Sequence, residues 1–93
     1  MDFEWDPDKE TSNLAKHGIS FAQAIAVFDD EFHIELDSTK PEYGEIRSKA
    51  IGLIGPYLFA LIYTRRGVSI RVISVRRARD DERRAYDQGK ATS

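Results

Sequence analysis

The chain has 93 residues, 41% of them hydrophobic and 11% aromatic, which suits one packed domain over 1–93 and excludes a disordered tail. It has no cysteine, which excludes a disulfide framework and a thiolate metal site and fits a reducing, cytoplasmic setting. The formal charge is only −2, yet residues 64–90 carry nine Lys/Arg against four acids, a surplus of +5, while residues 1–63 carry five against twelve, or −7.

In chain order, Phe3-Glu4-Trp5 alternates as a short strand would. The start Met1-Asp2-Phe3-Glu4 is acidic, unlike a secretion signal. Asp6-Pro7 supplies an N-cap and a first helical position, and a helix is expected to run to His17, closed by Gly18. Ser20 and Gln23 form a capping box for a second, short helix with Phe21, Ala24, Ile25 and Phe28 on its apolar face. Phe32–Leu36 alternates as a strand, and Asp37 to Gly44 reads as a loop. Ile46–Ile54 and Tyr57–Thr64 are strands separated by Gly55-Pro56. The run Tyr57–Tyr63 is the longest apolar stretch, too short to span a membrane. Arg65-Arg66-Gly67 is expected to turn the chain into a strand from Val68 to Val75. Arg79–Gln88 reads as a polar helix, with about 88–93 frayed.

The order β-α-α-β-β-β-β-α predicts an α+β fold: two N-terminal helices packed on a mainly antiparallel four- to five-stranded sheet, with a short C-terminal helix. Phe21, Ile25, Phe28, Leu53, Leu58, Leu61, Ile70 and Val72 are the expected core.

The arginine-rich C-terminal part is where phosphate recognition is expected, because the guanidinium fork matches a phosphate bidentately. The alternative is that these arginines are solvated or paired with the acidic N-terminal part. Alternation along the last strand puts Ile70, Val72, Ser74 and Arg76 on one face, toward the core, and Arg71 in line with Arg77 on the other. Lys16-His17 could hold a phosphate and move a proton, or could simply complement the helix dipole. Asp80, Asp81 and Glu82 suit a helix N-terminus; Glu82 as a general base is the sharper alternative. With two histidines, no cysteine and no ligand spacing, no metal site is expected, and no phosphate-cradling glycine loop is present.

An ordered set of residues resembles the BrnT family. It comprises Phe3-Glu4-Trp5-Asp6-Pro7, Asn13-Leu14-x-Lys16-His17-Gly18-Ile19-Ser20-Phe21 and Val27-Phe28-Asp29-Asp30. It continues with Gly44-Glu45-x-Arg47, Ile51-Gly52, Tyr63-Thr64, Ile70-Arg71-x-Ile73-Ser74-x-Arg76-Arg77-Ala78 and Glu82-Arg83-Arg84-x-Tyr86. The resemblance implies a RelE-like toxin of a type II toxin–antitoxin system that cleaves RNA without metal or other cofactor and inhibits translation. It further implies neutralisation by a BrnA-like antitoxin in a hetero-oligomer, contact with operator DNA only through that antitoxin, and no membrane association. It points to His17, Arg47, Arg77, Glu82, Arg83 and Tyr86 as catalytic and to Lys16, Arg71, Arg76 and Arg84 as RNA-binding. The chain departs from the family pattern at Arg79-Asp80-Asp81, where a hydroxyl and then basic residues are expected, and at Lys40-Pro41-Glu42-Tyr43, where many relatives carry a histidine. The rival reading is a catalytically weak module that binds the antitoxin and acts as corepressor. Direct DNA binding is disfavoured by the acids at 80–82.

Overall fold

The structure is a computed structural model and describes residues 2–92. The strands are β1 (Asp2–Glu4), β2 (Ile34–Asp37), β3 (Ser48–Ile54), β4 (Tyr57–Arg66) and β5 (Ser69–Arg77). They form one sheet in the order β1-β5-β4-β3-β2. The neighbours from β2 to β5 are antiparallel, whereas β1 runs parallel to β5 with Phe3 opposite Ile70, so the sheet is mixed. The turn expected at Arg65-Arg66-Gly67 falls at Gly67-Val68, because Arg65 and Arg66 still pair with Ile70 and Ser69.

Both faces of the sheet are covered. On one, Ala50, Leu61, Val72 and Val75 pack against Phe21, Ala24 and Val27. On the other, Ile51, Leu58 and Ala60 pack against Tyr86 of helix α3 (Asp80–Thr92). A strand buried on both sides reads as a continuous apolar run, and this is why Tyr57–Tyr63 does not alternate.

Helix α1 (Pro7–His17) matches its sequence signals. The Asp8 N–H donates to Asp6 Oδ1 at 2.9 Å, and Gly18 closes the helix at φ 73°, a left-handed conformation that favours glycine. The second helix is a correction. Its capping box forms, but α2 is a single turn, Phe21–Ala24, followed by a 3₁₀ segment, Ile25–Asp29. Tightening to three residues per turn buries Phe21, Ala24 and Val27 and leaves Ile25 and Phe28 half-buried. Gly52 explains the tight fit: a Cβ there would stand 2.8 Å from the Val27 carbonyl oxygen, so the 3₁₀ segment lies directly on β3. Of the expected core, Phe21, Leu58, Leu61, Ile70 and Val72 are buried and Leu53 is half-buried. The C-terminal helix is longer than expected. It passes through Gly89 to Thr92, so residues 88–92 are helical, and Ser93 lies outside the described residues.

The departure that matters most for the site is in β5. Ile62 lies opposite Ser74, but Tyr63 lies opposite Val72, leaving Ile73 as the extra residue of a β-bulge. The alternation changes phase there. Ile70, Val72 and Val75 share the α1-side core, and Arg77 follows on that side opposite Phe59. Arg76, opposite Ala60, turns to the α3 side. The expected face of Ile70, Val72, Ser74 and Arg76 is therefore split, as is the expected alignment of Arg71 with Arg77.

Candidate functional site

The phase change delivers Arg76 to a cleft of about 320 Å³. Its polar lining is Ser38, Lys40, Tyr43, Arg47, Lys49, Ser74, Arg76 and Arg79, with Ile62 and Ile73 as apolar floor. No carboxylate is among these lining residues.

Two of the cations are fixed from behind by Glu82, which is 1% exposed. Arg76 grips it bidentately, Nη1 to Oε1 at 2.7 Å and Nη2 to Oε2 at 2.8 Å. Lys49 Nζ donates to Oε2 at 2.8 Å, and the Arg79 backbone N–H donates to Oε1 at 2.9 Å. That last bond is half of a capping box, since Glu82 sits three residues after Arg79, the residue just before α3. Burial alone would raise the Glu82 carboxyl. The Arg76 fork, the Arg79 N–H and Lys49 outweigh it and hold the group at about 2. Lys49 and Arg76 together exceed Glu82 by one charge, so the clamp remains net cationic. The Arg79 guanidinium has no acidic partner among the described residues.

The loop after β2 builds the opposite wall. Its base is tied by Ser38 N–H to the Arg47 carbonyl at 2.9 Å and by Arg47 N–H to Thr39 Oγ1 at 3.0 Å. Pro41–Tyr43 forms one 3₁₀ turn, and the Arg47 guanidinium stacks 3.7 Å from the Tyr43 ring centre. Arg47 Nε donates to Glu45 at 2.9 Å, which leaves its outer nitrogens for a ligand. Five cations against Glu82 and Glu45 leave a surplus of three.

Of the residues singled out in the sequence, Arg47 and Arg76 line this cleft and Glu82 supports it. Lys16 and His17 line a neighbouring cleft, which shares Ile73 and Ser74 with the first. Arg71 faces Glu4 at 4.0 Å. Arg77 stacks 4.1 Å from the Tyr57 ring centre on the other side of the sheet. Arg83 and Arg84 are exposed on α3. Tyr86 is buried, and its hydroxyl donates to Asp30 Oδ2 at 2.6 Å. Burial and that carboxylate push the phenol up to about 12. Asp30 also accepts from the Leu53 N–H and the Phe32 N–H, both at 2.9 Å, tying the 3₁₀ segment, β3 and α3 together. Despite burial, these donors hold its carboxyl below the usual range. Tyr86 thus lies one turn beyond Glu82 on the same buried face of α3, with its hydroxyl committed to Asp30.

Lys40, Tyr43, Lys49 and Arg79 were missed in the sequence. Lys49 lies two residues before Ile51 and so on the same face of β3, the one that meets α3, but a lysine on an otherwise apolar strand face carries no signal of its partner in the sequence. Arg79 is readable as the residue that Glu82 caps. Nothing local in the sequence brings Tyr43 onto Arg47. Among the described residues, no group of three or more His, Asp or Glu is arranged to hold a metal ion, and no helix is long and apolar enough to cross a membrane.

Fold and site together define a small α+β protein with a cationic, aromatic-walled cleft that runs across β3, β4 and β5 of a mixed sheet. The chain belongs to the BrnT family: the family described as "Ribonuclease toxin, BrnT, of type II toxin-antitoxin system" matches residues 5–82. That match spans the cleft from Lys40 to Glu82, and membership in a type II toxin–antitoxin family implies an RNA target and an antitoxin partner. Comparison with curated proteins finds no match.

Proposed function

We propose that this protein is a metal-independent endoribonuclease toxin whose active cleft is the one lined by Arg47, Lys49, Arg76 and Arg79. The supporting observation is that five cations and a stacked tyrosine converge on one cleft with no carboxylate in its lining. A single RNA strand asks for that combination, positive charge along the backbone with an aromatic wall for a base. In the reaction, the 2′ oxygen attacks the adjacent phosphorus and the bond from phosphorus to the 5′ oxygen breaks. The products are a 2′,3′-cyclic phosphate and a 5′-hydroxyl. Arg47 and Arg79 stabilise the charge on the phosphorane oxygens, and Lys49 and Arg76 supply a fixed positive field. Each pre-placed donor contributes about 3 kcal/mol, by analogy with one oxyanion-hole hydrogen bond.

Glu82, held at about 2 with both oxygens occupied, is a positioning residue for Arg76 and Lys49 and too weak a base to accept the 2′ proton. Tyr86, pushed to about 12 and bound to Asp30, stays outside the chemistry, as do Arg77 and Arg83. One proton leaves the 2′ oxygen and one reaches the 5′ oxygen. The groups available for these transfers are Tyr43 and Lys40 on the cleft wall and His17 across the Ile73–Ser74 rim. RNA cutting of this kind stops translation. A BrnA-like antitoxin neutralises the toxin by covering the cleft with an acidic or amphipathic segment, and the complex represses its own operon in the cytoplasm.

A second reading has one observation in its favour: the lining of the main cleft contains no imidazole. On that reading the protein is a catalytically weak module that binds its antitoxin and serves as corepressor. Purified protein incubated with RNA in excess EDTA separates the two. Undiminished cleavage leaving cyclic phosphate ends, together with growth arrest on expression without the antitoxin, supports the ribonuclease. Intact RNA and normal growth at equal expression support the binding module.

A further inference from the structure

Helix α1 buries only Asn13, a polar residue flanked on the same side of the helix by the exposed Lys9, Ser12 and Lys16. Lys9, Ser12, Asn13 and Lys16 recur at i, i+3, i+4 and i+7, the spacing that puts them on one side of a helix. An apolar stripe is the ordinary occupant of that position where a helix meets a sheet. β1 pairs with β5 only as far as Arg71, so from Ile73 onward the β5 edge has no strand partner beside it. Asn13, at the centre of the polar stripe, reaches that edge. Asn13 Oδ1 accepts the Val75 N–H at 3.1 Å, standing in for a ladder bond.

Between the stripe and the bulge lies a cleft of about 340 Å³ lined by Lys9, Ser12, Asn13, Lys16, His17, Ile73 and Ser74. No carboxylate lines it, and neither Lys9 nor Lys16 has an acidic partner among the described residues. Asn13 is 8% exposed, and its Nδ2 donor is buried with no hydrogen-bond partner among the described residues. An orphaned donor beside two lysines and a histidine is costly unless something negative arrives to accept from it. Ile73 and Ser74 also line the Arg47–Arg76 cleft, so the two clefts meet along the bulge.

We infer that the Lys9–Lys16–His17 cleft is a second phosphate subsite for the same RNA strand, which crosses the β5 edge at Ile73–Ser74 from one cleft to the other. This rests on the ribonuclease reading of the main cleft. The bulge has two effects: it turns Arg76 toward the cut phosphate and opens the passage by which the flanking nucleotides reach α1. The ligand is the phosphodiester backbone itself, bound without base readout, so the subsite lengthens the footprint and leaves sequence choice to the main cleft.

The test is equilibrium binding of 2′-O-methyl RNA, which lacks the attacking hydroxyl and is not cut, at lengths of about 4 and about 10 nucleotides. The proteins compared are the unaltered chain, the double variant Lys9→Gln/Lys16→Gln and Arg79→Ala. Both lysines are exposed, so circular dichroism should find the double variant folded. The unaltered chain should bind the longer RNA more tightly. The double variant should lose that gain while binding the short RNA normally. Its salt slope on the long RNA should fall by about 1.4, or about 0.7 for each phosphate that a lysine no longer neutralises. Arg79→Ala should weaken both lengths. If the double variant keeps the full slope and length gain while Arg79→Ala weakens both, the subsite is wrong and the main cleft stands. If the double variant weakens both lengths equally, the lysines act as diffuse charge and the subsite is again wrong. If Arg79→Ala weakens neither, the ribonuclease reading fails and the subsite falls with it.

Discussion

Glu82 shows how one buried carboxylate can look like a general base in a sequence and serve another purpose in the fold. A base needs a lone pair and a pKa near the working pH. Glu82 has four donors on its two oxygens and sits at about 2. Replacing it with glutamine leaves the half-buried Arg76 and Lys49 without their counter-charge, and removing one partner of such a cluster costs about 3–5 kcal/mol. Urea unfolding at pH 7 should record a loss of that size for Glu82→Gln. The pH dependence has a definite sign. The folded carboxyl lies below the ordinary value of 4.5, so its stabilisation is fully present above about 4.5 and is lost as pH falls toward about 2. The stability difference between the unaltered chain and Glu82→Gln should therefore shrink across that window and stay constant above it. A difference that does not change between pH 5 and 2.5 would contradict the clamp.

The sequence disclosed elements better than it disclosed their phase. The α1 boundaries, the capping box at Ser20 and Gln23 and the strand cores were legible because each rests on a local signal: a cap, a proline, a run of apolar residues. Ile73 was not, since a period-two reading has no way to register one inserted residue, and everything after it was assigned to the wrong face. Val75 was the available clue, an apolar residue where the reading placed an outward one. The shortened second helix has a similar cause. Ser20–Phe28 has a helix-like apolar pattern, but the close approach of the chain to Gly52, far away in sequence, draws it into a 3₁₀ path. Gly52→Ala tests that account. The added methyl meets the Val27 carbonyl oxygen at 2.8 Å, so the 3₁₀ segment must shift, at a cost of about 1–3 kcal/mol. A thermal melt with no loss for Gly52→Ala would mean that the 3₁₀ segment is not seated directly on β3.

At the scale of the whole molecule, the polarised charge is resolved into geometry. The C-terminal arginines do not form one surface. Arg76 and Arg79 join Lys40, Arg47 and Lys49, drawn from the acidic half of the chain, while Arg77, Arg83 and Arg84 point elsewhere. The site was legible in part, because Arg47, Arg76 and Glu82 lie in recognisable motifs. Lys49, Tyr43 and Arg79 required the sheet register and the loop closure to bring them in. A net charge of −2 is compatible with an RNA-facing protein once the positive groups are concentrated in one cleft.

If this cleft cuts RNA, Arg79 is the residue whose loss reports it with least disturbance to the fold. Its guanidinium has no acidic partner among the described residues, and the backbone N–H that caps Glu82 survives substitution. The measurement is the single-turnover rate of RNA cleavage in EDTA for the unaltered chain, Arg79→Ala, Arg47→Ala and, as a control outside the cleft, Tyr86→Phe, each shown to be folded at the assay temperature. Arg79→Ala and Arg47→Ala should each slow cleavage by about 10²–10³, with Tyr86→Phe close to the unaltered rate. Unaltered rates for both arginine variants, or a collapse confined to Tyr86→Phe, would contradict the assignment of this cleft as the active site.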